Sequence, residues 1–472
     1  MARRKRFPKT LLNVTFTNIA DKGRCVGRDP EGKVVFAEGA APGDVADVIV
    51  FKKKKGVLWG RPTHFHKRSE DRVEPFCDHF GVCGGCKWQH ITYEAQLKHK
   101  EDVVKNAFER IAKVDIEEVL PIMGAEKTTF YRNKLEFGCA NRRWLTDEEV
   151  KDESISQMDN VIGFHRPGAY DKIIQIDHCY FQGGISNDLR NGIRKLAQEM
   201  DVPFFDMREK HGMLRQLMVR TTSLDQTMII IAFYENKQAI IKPFLDALLK
   251  AFPSITSLFY CINPKVNEYL MDLEMVPYSG TPYVEEKLGH IVYRIGPKSF
   301  FQTNTAQAIR LYDLALDFAD LQGDENVYDL YTGIGSIALY AAAKCKQVVG
   351  IEEIAAAIED AKINADLNGI TNARFYAGDV KDILTDTFAE KHGRPDVLIT
   401  DPPRAGMHTK VVEMLLQLAA PKLVYISCNP ATQARDLQLL SEGYTVAKSQ
   451  AVDMFPHTAH IENVVLLTTK AK

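Results

Sequence analysis

The 472-residue sequence lacks a continuous apolar stretch of the length that a membrane-spanning helix or a signal peptide needs. We therefore expect a cytoplasmic protein that does not enter a membrane. The sequence also lacks low-complexity tracts and internal repeats, and its 45% hydrophobic and 26% charged residues are typical of globular proteins. Because the chain is too long for one ordinary core, we expect about two to four domains.

Cysteine is scarce, with nine residues, and the number is odd. Three of the nine, Cys77, Cys83 and Cys86, fall within ten residues of one another. An odd and uneven set argues against the disulfide framework of a secreted protein. Metal binding or catalysis is the better use for these thiols.

The chain as a whole has little net charge, −2, but the charge is unevenly distributed. Residues 1–72 hold 17 lysines and arginines against 8 aspartates and glutamates, a net charge of +9. The other 400 residues carry a net charge of −11. This asymmetry predicts that the N-terminal region contacts a polyanion.

Residues 11–66 have the pattern of short strands separated by turns. We interpret this region as a small β-barrel with basic loops. The run Lys52–Lys55 would lie on a turn or strand end, where four ammonium groups can follow a phosphate backbone. Taken alone, the run fits a solvated charged face equally well. The predicted strands are Leu11–Ile19, Val34–Ala37, Asp44–Phe51 and Val57–Thr63.

From about residue 298 onward, strand and helix patterns alternate regularly. Such alternation predicts a parallel sheet covered by helices on both faces, which is a doubly wound α/β domain. Between residues 67 and 297 the sequence indicates a helix near Glu94–Lys113 and a mixture of strands and helices without a clear topology. The clearest later strands are Asn326–Leu330, Gln347–Ile351, Arg374–Ala377, Val397–Thr400 and Leu423–Ser427.

A strand runs into a glycine turn at Val327–Gly335, where a ligand can approach the backbone closely. Glu352 follows Gly335 by 17 residues, at the end of the next strand, where its carboxylate can accept hydrogen bonds from ribose hydroxyls. A dinucleotide site favours a third glycine after Gly335, but Ser336 follows, so a nicotinamide enzyme is disfavoured. Asp379 can reach an adenine edge, although an acidic residue after a strand is also ordinary turn chemistry. The order of these features is that of a class I methyltransferase.

Three segments near the C-terminus carry reactive side chains: Asp401–Gly406, Ser427–Pro430 and Phe455–Glu462. The first two follow apolar strands, so we expect them at the edge of the sheet where α/β enzymes bind ligands. A cysteine at a strand end is often a buried structural residue, and it is the co-occurrence of the three segments that favours catalysis.

The chemistry that fits these residues is methylation of uracil at carbon 5. That carbon is a poor nucleophile, and the Cys428 thiolate can activate it by adding to carbon 6. Cys428 would then need a lowered pKa or partners that stabilise the adduct. Glu462 is the candidate base for removing the carbon 5 proton, Asp401 can accept the uracil N3 proton, and Gln302 can offer an amide to the base or cofactor.

The cysteine cluster has the spacing Cys77-x5-Cys83-Gly-Gly-Cys86, and Cys179 is the best fourth ligand in the same region. Closely spaced thiolates suit either an iron–sulfur cluster or zinc, and the spacing alone does not separate the two. Three free thiols are the remaining alternative.

With these motifs the chain resembles, over nearly its whole length, the RumA-type 23S ribosomal RNA (uracil-5-)-methyltransferases. The resemblance implies an OB-like TRAM barrel that binds RNA at residues 1–70 and a mixed α+β central domain at 71–297. It implies a class I, Rossmann-like, S-adenosylmethionine-dependent methyltransferase domain at 298–472. The motifs that carry it are the cysteine spacing, Phe301–Asn304, Asp401–Gly406, Ser427–Pro430 and the run ending at Glu462.

The resemblance also implies roles for single residues. Cys428 would be the nucleophile, Glu462 the proton acceptor and Asp401 a further catalytic residue. Ser336 and Asp379 stand where relatives often carry asparagine, and Tyr331 replaces a common phenylalanine. The S-adenosylmethionine pocket would be formed by Gln302, Tyr331, Gly333, Gly335, Ser336, Glu352, Asp379 and Asp401. The ligands of a [4Fe-4S] cluster would be Cys77, Cys83, Cys86 and Cys179.

The implied partner is 23S ribosomal RNA, bound by a monomer with no membrane association. A transfer-RNA uracil-5 methyltransferase is the alternative that shares the chemistry, and we expect that branch to lack the barrel and the cysteine cluster. A cytosine-5 enzyme would carry a Pro-Cys pair where this chain has Asp401–Pro403. A non-catalytic RNA-binding factor is the third alternative, which intact Cys428 and Glu462 disfavour. The acidic stretch Thr146–Asp159 has no assigned role.

Overall fold

The structure is a computed structural model of the chain, and it describes residues 10–20, 23–146, 149–166 and 169–470. The basic start at residues 1–9 lies outside the described residues, as do residues 147 and 148 of the acidic stretch. In the described part of the chain, no helix is both long enough and apolar enough to cross a membrane.

The N-terminal region is a closed β-barrel, as predicted, with the strand order β1-β2-β3-β5-β4. Its interior is filled by apolar side chains that alternate with exposed ones along each strand, including the fully buried Val14, Val35 and Val48. The strand β2 was not predicted, and it contains Gly27. Position 27 is a glycine because a Cβ there would lie 2.6 Å from the Val14 side chain. The five strands are β1 (Thr10–Ala20), β2 (Arg24–Arg28), β3 (Val34–Ala37), β4 (Val45–Lys54) and β5 (Val57–Lys67).

A helix and an edge strand follow the cysteine loop. Helix α1 spans Tyr93–Ala107 and continues as a π-helical turn at Phe108–Ala112, so the predicted helix near Glu94–Lys113 is present. Its N-terminus is capped by Thr92, whose hydroxyl accepts a hydrogen bond from an N–H of the first turn. Strand β6 (Ile116–Met123) comes next.

The central part of the chain forms a seven-stranded sheet in the order β13-β12-β11-β10-β7-β8-β9. Neighbouring strands are antiparallel except β11 and β12, which are parallel. The strands are β7 (Lys134–Arg142), β8 (Met158–Arg166), β9 (Ala169–Gln175), β10 (Leu214–Thr221), β11 (Thr227–Phe233), β12 (Ser257–Ile262) and β13 (Val276–Gly280). The helices are α2 (Ser186–Glu199) and α3 (Gln238–Ala251), with a short 3-10 turn at Glu149–Lys151, and the hairpin β14 (Val284–Leu288) and β15 (Ile291–Ile295) leads onward.

The C-terminal part is the predicted doubly wound domain, with an eight-stranded sheet in the order β18-β17-β16-β19-β20-β22-β21-β6. The five strands β16 to β20 are parallel to one another, and β22 is antiparallel to both β20 and β21. The strands are β16 (Asn326–Leu330), β17 (Gln347–Glu352), β18 (Ala373–Ala377), β19 (Val397–Thr400), β20 (Lys422–Ser427), β21 (Tyr444–Val452) and β22 (Glu462–Thr469). The helices are α4 (Thr305–Ala319), α5 (Ser336–Ala341), α6 (Ala355–Leu367), α7 (Val380–Ile383), α8 (Asp386–His392), α9 (Thr409–Leu418) and α10 (Pro430–Leu440), with a 3-10 turn at Ala342–Lys344.

One strand of the eight-stranded sheet comes from outside the range 298–472. Strand β6 pairs in parallel with β21, with Ile116 opposite Val446. The segment that contains α1 and β6 therefore packs on the C-terminal sheet and not on the central one. Sequence patterns do not reveal a pairing between segments so far apart in the chain.

Buried polar contacts join α1 to the loop between β21 and β22, which we call the 453–461 loop. The Lys100 ammonium lies 2.5 Å from an Asp453 carboxylate oxygen, and both residues are buried. The Tyr93 hydroxyl donates to the other oxygen of Asp453 at 2.9 Å. The N–H of His457 donates to Gln96 at 2.9 Å. These contacts fix the loop that leads into Glu462.

The same loop also contacts the segment after the cysteine motif. The N–H groups of Lys87 and Trp88 both donate to the carbonyl of His457, at 2.7 and 3.2 Å. The Trp88 indole N–H donates to the carbonyl of Gly23 in the barrel at 3.1 Å. The barrel, the cysteine loop and the 453–461 loop are thus connected through Trp88.

Candidate active site

The turn after β16 contains three residues with a left-handed backbone. Tyr331, Gly333 and Gly335 have φ angles of 65°, 56° and 80°. An added Cβ at Gly335 would lie 3.2 Å from Leu339 and Phe375, whereas one at Gly333 would meet no atom within 4 Å. Close packing and the positive φ together favour a glycine at position 335, while Gly333 leaves open space through which a ligand can reach the backbone.

Two carboxylates hold this turn. Glu352, at the end of β17, accepts a hydrogen bond from the Gly333 N–H at 3.1 Å. Asp329, which sequence reasoning missed, accepts one from the Thr332 hydroxyl at 2.5 Å, and burial raises the pKa of Asp329 to about 7. The sequence signal for Asp329 was an acidic residue inside an otherwise apolar strand.

The other expected cofactor residues on this side lie at helix starts. Ser336 begins α5, and its carbonyl accepts a hydrogen bond from the Tyr293 hydroxyl at 2.7 Å. Asp379 caps α7, where its carboxylate accepts the Lys381 N–H at 3.1 Å and forms an ion pair with the Lys381 ammonium. The Asp379 carboxylate is thus engaged in the local turn chemistry that the sequence left open as an alternative.

Gln302 lies on a segment that bridges the two large sheets. Its carbonyl accepts a hydrogen bond from the side-chain amide of Asn133, which directly precedes β7, at 2.9 Å. Two residues later, Asn304 caps α4 and donates to the carbonyl of Met454 at 2.9 Å. Asn133 and Asn304 therefore fix the segment that carries Gln302, and sequence reasoning gave neither of them this role.

Strand register brings the three expected catalytic residues to one edge of the sheet. Asp401 follows β19 and Cys428 follows β20, its parallel neighbour. Glu462 begins β22, which is antiparallel to β20, with Ser427 opposite Asn463. Segments that are distant in the sequence therefore meet where the strands end.

Burial sets the electrostatics of this group. It raises the pKa of Cys428 to about 11, and the Glu462 and Asp401 carboxyls add to this rise. It raises the pKa of Asp401 to about 7 and that of Glu462 well above the usual value. A cysteine nucleophile reacts faster when its thiol pKa is lowered, but in the protein without substrate the pKa of Cys428 is raised. Stabilisation of Cys428 must come from its partners.

Arg404 is the cation of the site, and sequence reasoning gave it no role. Its guanidinium interacts with Cys428 and lowers the pKa of that thiol, against the larger effect of burial. It also lies 2.5 Å from Nδ1 of His460, which burial and Arg404 hold neutral by lowering the pKa of His460 to about 4. The carbonyl of Arg404 accepts a hydrogen bond from the Asn429 side chain at 2.9 Å. Arg404 could have been found from its position inside the motif Asp401–Gly406.

A cleft of about 1100 Å³ opens beside Cys428 and Arg404. Its walls come from the barrel, the cysteine loop, α1 and the 453–461 loop, and its cations are Arg28, Lys87, Arg110 and Arg404. A large cleft with cations on several walls can hold a phosphate backbone. The lining is Thr17–Ala20, Val26, Arg28, Gly84, Gly85, Lys87, His99, Asp102, Val103, Asn106, Ala107, Arg110, Arg404, Cys428–Ala431 and Thr458–Ile461.

The basic run Lys52–Lys55 does not line this cleft. Lys52–Lys54 end β4 and Lys55 lies in the turn that follows, and all four are exposed. The Lys52 ammonium lies 6.0 Å from the ring centre of Trp59. The run is therefore on a strand end, as predicted, but the barrel presents Arg28 to the cleft instead.

The four expected ligand cysteines lie close enough to affect one another electrostatically. Burial raises the pKa of all four thiols. The Gln89 amide donates to the Cys86 sulfur at 3.0 Å, and the Gly85 N–H donates to the Cys83 sulfur at 3.5 Å. Among the described residues, no three His, Cys, Asp or Glu side chains are arranged to hold a metal ion.

Two known family models match separate parts of the chain, the C-terminal domain and the N-terminal barrel. A family model described as tRNA (Uracil-5-)-methyltransferase matches residues 280–470, and a TRAM domain model matches residues 5–63. A relative from Bacteroides thetaiotaomicron is 48% identical, covering 92% of this chain and 96% of its own. One from Porphyromonas gingivalis is 49% identical, covering 96% and 98%. Both are named uncharacterized RNA methyltransferases.

Among solved structures, the chain is similar to the Pyrococcus abyssi tRNA (uracil-54, C5)-methyltransferase in complex with S-adenosyl-L-homocysteine. The TM-score is 0.75 at 26% identity, and the alignment covers 97% of this chain and 100% of that one. The fold and the glycine turn define an S-adenosylmethionine-dependent methyltransferase. The chain belongs to the RNA uracil-5 methyltransferase family and carries the TRAM domain.

The fold class, the methyltransferase activity on RNA and the use of S-adenosylmethionine are thereby confirmed. The expectation that a barrel distinguishes ribosomal-RNA enzymes from transfer-RNA enzymes was wrong. The structural alignment with the transfer-RNA enzyme covers 97% of this chain, and the remaining 3% is shorter than the barrel. Overall architecture therefore does not separate the two substrates.

Gly333→Ala should weaken binding of S-adenosylhomocysteine about tenfold, because a methyl group would enter the open space above the turn. Isothermal titration calorimetry measures this. Gly369→Ala is a matched control, since Gly369 has a φ of 65° and a Cβ there also meets nothing within 4 Å. Both variants should lose about 1 kcal/mol of stability. Equal cofactor affinity in the two variants would place the ligand elsewhere.

Alkylation of Cys428 by iodoacetamide should accelerate about tenfold per pH unit up to pH 9, because only the thiolate reacts and the pKa of Cys428 is raised to about 11. Arg404→Gln removes the positive charge and should slow alkylation about three- to tenfold at each pH. Mass spectrometry of the labelled peptide gives the rates. Arg394→Gln, which removes a surface ion pair with Asp386, is the control. Unchanged rates in Arg404→Gln would refute the contact.

Proposed function

We propose that this protein transfers a methyl group from S-adenosylmethionine to carbon 5 of a uridine in 23S ribosomal RNA, through a covalent bond between Cys428 and carbon 6. It would act in the cytoplasm as a monomer. The observation that carries the proposal is the strand register that joins Asp401, Cys428 and Glu462 at one edge of the sheet. Cys428 lies on the wall of a cleft that also includes the barrel.

The three sequence ranges would divide the work. Residues 1–70 would bind RNA and residues 298–472 would carry out the chemistry. Residues 71–297 would supply the cysteine cluster, together with α1 and β6, which pack on the catalytic sheet.

Cys428 begins the reaction when its half-buried thiol releases its proton to solvent in the cleft and the resulting thiolate adds to carbon 6 of the uracil. Its sulfur forms a bond to carbon 6, and the electron pair of the carbon 5–carbon 6 double bond moves toward carbon 5 and the carbonyl at carbon 4. Arg404 stabilises the thiolate from which the attack starts. When bound, S-adenosylmethionine would supply an electrophilic methyl group to carbon 5, and its methyl–sulfur bond would break to leave S-adenosylhomocysteine.

Glu462 completes the reaction. As a buried carboxylate with a pKa raised by burial, it is a strong base once ionised. It takes the proton from carbon 5, and the electron pair of that C–H bond restores the double bond and expels the Cys428 thiolate. The Asp401 carboxylate accepts a hydrogen bond from the N3–H group of the uracil and thereby orients the nucleobase. Its pKa of about 7 leaves the carboxyl ionised in part of the molecules at neutral pH.

The cofactor would lie over the glycine turn. Gly333 allows the backbone to approach it, Gly335 lets the turn pack on Leu339 and Phe375, and Glu352 offers its remaining lone pairs to the ribose hydroxyls. We expect weaker cofactor contacts from Ser336 and Asp379, which stand where relatives often carry asparagine. The Asp379 carboxylate is also already paired with Lys381. The other proposed contacts are Gln302, Tyr331 and Asp401.

A transfer-RNA substrate is the second candidate, because the similar Pyrococcus abyssi structure is a tRNA (uracil-54, C5)-methyltransferase. The reaction and the residues would be the same. In either RNA the target uridine must leave its stack to reach Cys428, so the substrate is a loop or a segment that can unfold.

The proposal is tested by mass spectrometry of ribosomal and transfer RNA from cells that lack the protein, complemented by wild type or by Cys428→Ala. We expect a 5-methyluridine to disappear from large-subunit RNA and to return only with wild type. Loss from transfer RNA would support the second candidate. Full restoration by Cys428→Ala would refute the covalent mechanism, and no loss in either RNA would refute the activity.

We further propose that Cys77, Cys83, Cys86 and Cys179 hold a [4Fe-4S] cluster with a structural role. The four thiols, of which Cys179 is buried and the other three are half-buried, are the donors that such a cluster needs. Two sulfurs already accept N–H groups, as cluster ligands do. The present positions do not form a metal group, so ligation would draw the thiols inward. The cluster would hold the loop that supports His457 through Lys87 and Trp88.

Anaerobically purified protein should contain about four iron and four sulfide per chain, a content that Cys86→Ser should lower sharply together with the melting temperature. Cys345→Ser, at a buried cysteine in another part of the fold, should keep the iron. Stoichiometric zinc, or a Cys86→Ser variant that melts like wild type, would contradict the proposal.

A further inference from the structure

Four aromatic rings form a contiguous surface group next to the cysteine loop, which we call the aromatic platform: Phe76, Phe130, His178 and Tyr180. Tyr180 is its centre, with ring-centre distances of 5.1 Å to Phe76, 5.7 Å to Phe130 and 4.5 Å to His178. Phe130 and His178 are 6.0 Å apart. Three separate chain segments therefore contribute to one group of rings.

The platform is exposed to a degree that is unusual for aromatic side chains. Phe76 keeps 39% of its surface accessible and Phe130 keeps 45%, and His178 is exposed as well. Exposed apolar groups that lie together, and not singly, mark sites that bind a partner.

The backbone at Phe130 is strained in a way that presents the ring. Its φ is +52°, a conformation that bulky residues rarely adopt. Its N–H is held by the carbonyl of Tyr180 at 2.6 Å, and the next residue, Tyr131, is buried and donates its hydroxyl to the carbonyl of Pro456 at 2.9 Å. The kink thus turns Tyr131 inward and leaves Phe130 outside. A glycine would suit this backbone better, yet the chain keeps an exposed aromatic ring at this position.

The platform lies beside the 453–461 loop, which leads into Glu462. The Phe76 ring is 5.1 Å from the ring of His457 in the 453–461 loop. Phe130 lines a second cleft, of about 810 Å³, that also contains Lys127, Arg132 and Arg310. The carboxylates that line this cleft are Glu126, Asp225 and Glu286, of which Glu286 is buried and already accepts hydrogen bonds from Ser223. With Lys287 the cleft has four cations against these three carboxylates. The rings therefore lie between the 453–461 loop on one side and a cleft that contains cations on the other.

We propose that the aromatic platform stacks unpaired bases of the RNA substrate next to the target uridine. The proposal rests on the proposed function, because a uridine that leaves its stack exposes neighbouring bases that need new partners. Aromatic rings accept any base face, and nearby cations hold the phosphates that link the bases. The platform would thus bind single-stranded RNA without selecting a sequence.

Phe130→Gly tests this, because it removes the ring and relieves the backbone. We expect affinity for a short single-stranded oligouridine to fall about ten- to hundredfold, measured by fluorescence anisotropy, while the melting temperature does not fall. Since no cation is lost, the slope of log affinity against log salt should stay unchanged. Phe130→Trp should retain binding, and its fluorescence should be quenched when the RNA is added.

Ala419→Gly is the matched control. Ala419 is exposed and has a φ of +49° at the end of α9, so the change relieves similar strain without removing a ring or a charge. Its RNA affinity should equal that of wild type. Oligouridine binding by Phe130→Gly at the wild-type level would overturn the proposal, as would a loss that only follows a loss of stability.

The same assay separates this proposal from the proposed function. If wild type forms no 5-methyluridine but Phe130→Gly still weakens oligouridine binding, the platform stands and the reaction does not. If wild type methylates RNA and Phe130→Gly binds and methylates equally well, the reaction stands and the platform fails. Equal affinity of wild type for duplex and single-stranded RNA would also count against stacking.

Discussion

The buried ion pair between Lys100 and Asp453 joins helix α1 to the 453–461 loop, which forms one wall of the cleft at the candidate nucleophile. The Asp453 carboxylate also accepts the Tyr93 hydroxyl and the Phe455 N–H, so both of its oxygens are satisfied inside the protein. Removing one partner of such a pair leaves an unpaired buried charge, at a cost of about 3–5 kcal/mol. Because the 453–461 loop runs from Asp453 to Glu462, the pair sets where β22 begins and where the Glu462 carboxyl lies.

Sequence patterns predicted the C-terminal sheet well and the central sheet poorly, for a physical reason. Parallel strands covered on both faces read as apolar runs, and the motifs between them are contiguous in the chain. In the central sheet, β10 is buried along most of its length yet contains Arg215 and Arg220, which obscure the apolar pattern. The pairing of β6 with β21 depends on tertiary contacts that no local pattern records.

The candidate site, too, was predicted only in part from the sequence. The positions of Cys428, Asp401 and Glu462 followed from motifs, because each ends or begins a strand. The electrostatics did not follow: burial raises the pKa of Cys428, and the compensating charge comes from Arg404, whose contact with His460 spans two separate motifs. The cleft was also out of reach, since its walls come from several distant segments.

The position of β22 has a consequence for biosynthesis. This strand follows β20 and β21 in the chain but lies between them in the sheet. As the polypeptide emerges from the ribosome, β20 and β21 must remain apart until β22 inserts between them. Cys428 is synthesised before Glu462, so the thiol lacks its acidic partner during this interval. The site therefore assembles in a late folding step, after which the newly made chain gains the means to modify RNA.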